Sequence, residues 1–199
     1  VYAASSSAYG DADSEYKSED MPTNPLSPYA VAKLAAEQYC KAFTNVYGLE
    51  TVAVRYFNVF GPRQDPLSAY AAVIPRFITA MLNGQQPSVE GDGLQSRDFT
   101  YITNVVHGTL LACYTPDIAG ETFNIACGGR ISLLEVIALL NKMMGKQIQP
   151  IFVAPRPGDV RHSRASIEKA GQRMGYEPIV SFEEGLARTL EWYKAALPV

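Results

Sequence analysis

The sequence predicts an α/β fold built on a doubly wound parallel sheet, accompanied by a smaller α+β lobe. Three observations carry this expectation. A strand-like run, a capped helix and a second strand-like run follow one another between Val1 and Phe57. Strand, helix, strand in that order implies a parallel crossover. Beyond Gly61 the candidate elements become shorter and mixed. Two sequence signatures of helix starts, Ser132-Leu133-Leu134-Glu135 and Ser181-Phe182-Glu183-Glu184, then mark later helices as capping boxes.

Each element has a local reason. Val1–Ala4 reads as the last part of a buried strand, and Tyr9–Asn24 is polar and turn-rich, hence a loop. Ser27 suits an N-cap and Pro28 the first helical position. Val31, Leu34, Ala35, Tyr39, Ala42, Phe43 and Val46 then recur at helical spacing, and Gly48 ends the run. Thr51–Phe57 is rich in β-branched and aromatic residues and reads as a strand. Ile74–Leu82 predicts a helix stopped by Asn83-Gly84. Pro87–Glu90 and Asp98–Tyr101 predict short strands, Asn104–Tyr114 a helix, and Thr122–Ala126 a strand. The two capping boxes open helices that run to Gly145 and to about Ala195.

Bulk properties narrow the function. The chain has 199 residues, 47% of them hydrophobic and 19% charged, enough apolar material for a sizeable core. A net charge of −3 argues against a nucleic-acid binder, which carries a basic face. No apolar run approaches the length of a membrane span, and no signal peptide is visible. Cys40, Cys113 and Cys127 are scattered and lack metal-ligand spacing. They read as buried reduced thiols of a cytoplasmic protein, and no metal is expected.

The chemistry begins with Ser5, Tyr29 and Lys33. Tyr29 and Lys33 lie four apart at a helix start and so share a face. A free tyrosine titrates near about 10. A neighbouring ammonium and the positive helix end favour the phenolate, which can then serve as general base toward a hydroxyl. Ser5 sits at the carboxyl end of its strand, where open α/β sheets bind ligands. The run Gly91-Asp92-Gly93-Leu94-Gln95-Ser96 only mimics a dinucleotide fingerprint, because it lacks the last glycine and opens no clear helix.

Ser5 to Gly10, the segment Ser27-Pro28-Tyr29-Ala30-Val31-Ala32-Lys33 and Arg55-Tyr56-Phe57-Asn58-Val59-Phe60-Gly61-Pro62-Arg63 resemble the extended short-chain dehydrogenase/reductases. More narrowly, they resemble the nucleotide-sugar epimerases and dehydratases. The likeness continues through Gly91-Asp92-Gly93, Arg97-Asp98-Phe99 and Arg156 to Ser163. It implies a Rossmann domain whose glycine fingerprint lies in an N-terminal half that precedes this chain. Residues 1–61 would be the end of that NAD-binding domain. Residues 62–199 would form mainly a UDP-sugar-binding lobe, with segments near 97–126 returning to the sheet. By itself, the chain is then expected to bind NAD weakly.

Roles follow residue by residue from the resemblance. Ser5, four before the tyrosine of Tyr9-Gly10, is the implied catalytic hydroxyl, Tyr29 the base, and Lys33 the residue that binds the nicotinamide ribose. Tyr56 is placed beside the nicotinamide or, alternatively, in the core. Asn58, Arg97, Arg156 and Asp159 are the implied contacts to the UDP pyrophosphate and ribose. Arg97 could instead pair with Asp98 at the surface. Ser6 and Ser7 either touch substrate or end the strand. His107, Arg161 and His162 receive no catalytic role.

Dehydratases follow the catalytic hydroxyl with Asp-Glu, and decarboxylases keep the Glu; here those places hold Ser6 and Ser7. The departure favours NAD-dependent 4-epimerisation of a UDP-hexose through a 4-keto sugar. Ser163 stands where relatives restricted to plain hexoses carry a bulky aromatic, and Gln64 could meet an acetamido group. Both point to UDP-GlcNAc/UDP-GalNAc interconversion of the kind that feeds polysaccharide synthesis. UDP-glucose epimerisation, a UDP-sugar lyase and a non-enzymatic scaffold are the alternatives. The resemblance also implies a homodimer.

Overall fold

The computed structural model describes residues 1–12, 14, 16–66, 72–155 and 161–196. In chain order these form β1 (Tyr2–Ser5), a 3-10 turn (Ser6–Tyr9), α1 (Pro28–Tyr47), β2 (Ala53–Tyr56), β3 (Val59–Phe60) and α2 (Val73–Leu82). There follow β4 (Ser88–Glu90), β5 (Ser96–Arg97), β6 (Thr100–Tyr101), α3 (Ile102–Tyr114), β7 (Thr122–Ile125) and β8 (Ile131–Ser132). The remainder is α4 (Leu133–Met144), β9 (Ile151–Val153), α5 (Glu168–Met174) and α6 (Phe182–Ala196).

β1, β2 and β7 form a parallel sheet in that order. Ser5 lies opposite Tyr56, and Tyr56 opposite Ile125, so these three residues share the carboxyl edge. Alternation along β2 splits its side chains between two faces. Val52 and Val54 enter a core with Ala112, Phe123, Ile125 and Tyr176. Arg55 points the other way, toward α1, and is buried with Glu37.

α1 starts and stops where the sequence says. The Ser27 hydroxyl accepts from the Ala30 amide at 3.2 Å, Pro28 fills the first position, and Gly48 closes the helix with φ 69°. The apolar stripe behaves differently from its spacing. Val31, Tyr39, Phe43 and Val46 are exposed, whereas the buried positions are Ala30 and Glu37. Glu37 accepts from Arg55 Nη2 at 2.6 Å and from Nε at 2.9 Å, which compensates a charge that burial would otherwise penalise.

The predicted strand after α1 is shorter than expected. It breaks at Asn58, whose φ of 30° falls in a region that asparagine tolerates better than most residues. The chain then leaves the main sheet as β3 and pairs with β6. Of the expected strand over Asp98–Tyr101 only Thr100–Tyr101 forms, as β6, while β5 lies just before it and pairs with β8. Asp98, between β5 and β6, turns inward, and its carboxylate accepts the amides of Cys127 at 3.0 Å and Ala165 at 3.1 Å. Burial raises its pKa to about 6, against the lowering effect of those amides.

A second core gathers Phe60, Ile74, Phe77, Val136, Leu140, Leu186 and Leu190 from β3, α2, α4 and α6. The Ser132–Glu135 capping box is complete. At Ser181 one half forms: its hydroxyl accepts the Glu184 amide at 3.2 Å, while the Glu184 carboxylate binds Arg188. β9 and α5 have no counterpart in the sequence reading. All three thiols are free, and Cys113 is exposed rather than buried. Among the described residues no helix is long and apolar enough to cross a membrane.

Candidate active site

A cavity of about 610 Å³ opens at the carboxyl ends of β1 and β2. Its wall includes Ser5, Ser6, Ser7, Tyr29, Lys33, Tyr56, Asn58, Arg97 and Ser163. Nine residues singled out from sequence, spread from β1 to position 163, thus converge on one space.

Local structure explains how. β1 ends at Ser5, and the chain tightens into the 3-10 turn, which Gly10 terminates at φ 60°, ψ −146°. A Cβ at Gly10 would lie 2.0 Å from the Asn24 carbonyl, so only glycine lets the following loop return this close. That return delivers Ser27 and Tyr29 to the end of β1. Ser5 Oγ accepts the Ser7 amide at 3.2 Å and the Ser7 hydroxyl at 2.9 Å. Tyr29 stands on the first turn of α1 and is 58% exposed, so its phenol is accessible from the cavity. Lys33 Nζ lies 6.0 Å from the Tyr29 ring centroid and 5.4 Å from that of Tyr2, and donates to the Ala3 carbonyl at 2.9 Å.

Tyr56 serves both readings given it. It lines the cavity and packs against the core, with its hydroxyl 2.8 Å from Thr109 Oγ1. Arg97 faces the cavity, while its Nη1 donates to the carbonyls of Ser96 at 2.9 Å and Arg161 at 3.2 Å. Asp98 is not its partner, being spent on backbone amides. Arg161 pairs with Asp92 at 2.7 Å. A smaller space of about 250 Å³ shares Asn58, Val59 and Arg97 with the first and adds Arg76, Glu90, Gln95 and Phe99.

Gln64 is not brought to either space. Its Nε2 donates to the Val59 carbonyl at 3.1 Å, and its backbone carbonyl accepts from the Tyr193 hydroxyl. Its amide nitrogen is thus taken within its own loop and its Oε1 is buried with no partner among the described residues, so the acetamido contact expected of it is not part of the cavity wall. Arg156 and Asp159 lie outside the described residues. One group at the site, and an arginine behind it, carried no sequence signal. Lys17, a loop lysine, is buried and lines the cavity, its Nζ donating to Gly10 and Ala12 carbonyls at 3.2 and 3.1 Å. Burial lowers its pKa. Arg130 reaches Ser96 Oγ at 2.9 Å and His162 Nδ1 at 3.1 Å. Burial first, and then Arg130, Arg161 and Arg97, hold His162 below the usual histidine value.

The donor set suits the nicotinamide-ribose end of a dinucleotide. Lys33 brings an ammonium with three N–H donors, Ala3 and Ala4 a small apolar wall, and Tyr56 a flat one. The adjoining arginines suit a diphosphate.

The chain belongs to the NAD dependent epimerase/dehydratase family, whose profile matches residues 1–126. Individual relatives sharpen the comparison. The UDP-glucose 4-epimerase of Mycolicibacterium smegmatis is 37% identical over 188 residues, covering 94% of this chain and 59% of that protein. The structure of UDP-N-acetylglucosamine 4-epimerase from Methanobrevibacter ruminantium M1, in complex with UDP-N-acetylmuramic acid, superposes with a TM-score of 0.94 at 38% identity, covering 98% of this chain and 63% of that one. UDP-glucuronic acid 4-epimerase from Bacillus cereus, in complex with UDP-glucuronic acid and NAD, gives 0.91 at 37% identity, covering 98% and 61%. The chain therefore spans about three fifths of the proteins it matches.

Proposed function

We propose that the full-length protein is an NAD-using 4-epimerase of a UDP-hexose. The observation that carries this reading is the convergence of Ser5, Tyr29 and Lys33 on one cavity with Asn58 and Arg97. In this reading residues 1–61 complete the dinucleotide domain, and 62–199 mainly hold the UDP-sugar. NAD, when bound, supplies a reversible hydride acceptor for sugar C4. Tyr29 takes the proton of the 4-hydroxyl, and Lys33 holds the ribose and supports the phenolate. Ser5 hydrogen-bonds the reacting oxygen. Asn58, Arg97, Arg156 and Asp159 grip UDP while the 4-keto sugar turns its other face.

Ser6 and Ser7 support epimerisation over elimination, because neither hydroxyl supplies a strong acid and base at neutral pH. Ser163, buried at the cavity wall and donating its amide to the Ser96 carbonyl at 3.1 Å, leaves room for a 2-acetamido group. It supports UDP-GlcNAc/UDP-GalNAc as the preferred pair within the UDP-hexoses. The exposed Val31, Tyr39, Phe43, Val46 and Tyr47 of α1 support a homodimer formed through that helix. Turnover of the full-length protein on UDP-GlcNAc, UDP-GalNAc, UDP-glucose and UDP-galactose, with product isomers resolved, tests the assignment. Release of water from these sugars, or of carbon dioxide when UDP-glucuronic acid is offered, would reassign it as a lyase.

A further inference from the structure

The hydrogen bonds around Ser5 fix the direction in which its hydroxyl can act. A serine oxygen has one proton to donate and two lone pairs to accept with. Ser5 Oγ accepts from the Ser7 amide at 3.2 Å and from the Ser7 hydroxyl at 2.9 Å. Both lone pairs are thereby used by one neighbour. The backbone fixes the amide half of this arrangement. Ser5 is extended, at φ −147° and ψ 142°, and caps the 3-10 turn that contains Ser7. The Gly10 amide donates to the Ser7 carbonyl at 3.2 Å and holds that turn closed. Gly10 itself adopts a conformation that leaves a side chain no space.

We propose that Ser7 is a positioning residue that makes Ser5 a donor only. The inference rests on the 4-epimerase reading above. Its consequence is a choice between two proton routes. In a relay, Ser5 would accept the sugar hydroxyl proton while passing its own to Tyr29. With both lone pairs occupied, Ser5 has no place for that proton. The O4–H bond therefore breaks directly toward Tyr29 Oη: the proton joins the phenolate oxygen, and the electron pair stays on O4. Ser5 meanwhile donates its own proton as a hydrogen bond to O4. That bond strengthens as O4 gains negative charge, and it later polarises the carbonyl of the 4-keto sugar, as a fixed donor should. Ser7 lines the same cavity, but its hydroxyl is turned to Ser5 and acts through it.

Kinetics and neutron diffraction on the full-length protein test this independently. Ser7→Ala frees one lone pair of Ser5 and is expected to lower kcat roughly five- to tenfold, the worth of one neutral hydrogen bond, with KM within about twofold. Ser7→Thr, which keeps the hydroxyl, restores most of the rate. Ser5→Ala combined with Ser7→Ala falls no further than Ser5→Ala alone. A neutron structure after deuterium exchange shows the Ser7 deuteron between the two Oγ atoms and the Ser5 deuteron aimed into the cavity. Unchanged kcat in Ser7→Ala, an effect confined to KM, additive losses in the double variant, or a Ser5 deuteron aimed at Ser7 each overturns the proposal. If the wild-type protein fails to isomerise any UDP-hexose, the epimerase reading fails instead, and the neutron result still decides the polarity of Ser5.

Discussion

Removing the Glu37 carboxylate is the sharpest test of how the site is held. Glu37 and Arg55 are only 3% and 4% exposed in their side chains and meet through two hydrogen bonds, at 2.6 and 2.9 Å. Burial by itself lowers the Arg55 pKa, but the bonds to Glu37 and the neighbouring Tyr9 outweigh it and hold the guanidinium above its ordinary value. Glu37→Ala therefore leaves a buried, charged guanidinium that cannot shed its proton. Loss of one partner from such a pair costs about 3–5 kcal/mol, a large part of a typical stability of about 5–15 kcal/mol. With a urea slope of about 2 kcal/mol per M, the midpoint should fall by roughly 2 M. Glu37 also lies about two helical turns beyond Tyr29 on α1, so loosening it releases the helix that carries Tyr29. Glu37→Leu combined with Arg55→Met removes both charges and should recover most of the loss, since buried pairs are often worth little against apolar replacements. A midpoint shift in Glu37→Ala equivalent to less than about 1 kcal/mol, or a double variant as unstable as the single, would refute the reasoning.

Three further outcomes are expected. Tyr29→Phe should lower turnover by about two to four orders of magnitude, the range for general acid–base groups, while UDP-sugar affinity measured by calorimetry stays within a few fold. Ser163→Tyr should depress turnover of acetylated UDP-hexoses selectively, and an equal effect on UDP-GlcNAc and UDP-glucose would remove Ser163 as a size gate. Asp98 should leave a signature in stability against pH. Its folded pKa of about 6 lies above the unfolded value of 3.8, so the folded state binds more protons between them and this group's contribution falls as pH rises through that window. The difference is on the order of 3 kcal/mol. Unfolding free energies of wild type and Asp98→Asn from urea melts, compared from pH 4 to 6, should drift apart by about 2 kcal/mol of that in favour of the variant, and a constant difference would contradict it.

Much of the fold is written in local signals. Ser27, Pro28 and Gly48 bound α1, and Ser132 with Glu135 starts α4, because capping is decided by a few adjacent residues. Signals that depend on partners were not legible. The apolar spacing of α1 does not say which face is covered, and the buried position is Glu37, whose partner Arg55 comes from β2. The inward turn of Asp98, which delays the strand to Thr100, depends on amides of Cys127 and Ala165, distant in sequence. At the cavity, Tyr29 and Lys33 were readable because residues four apart share a helix face, and Ser5 because it ends a strand of the parallel sheet. Lys17 was not, since its burial follows from the path of a loop. Gln64 suits an amide by residue type, but the fold of its loop takes its Nε2 to the Val59 carbonyl and leaves it off the cavity wall.

The most direct measurement is the product formed by the full-length protein from a single UDP-hexose in the presence of NAD, resolved by isomer and weighed by mass. The account predicts the C4 epimer, with mass unchanged and with production abolished in Tyr29→Phe. A product lighter by water, or a C4 epimer still formed at the wild-type rate by Tyr29→Phe, would contradict it.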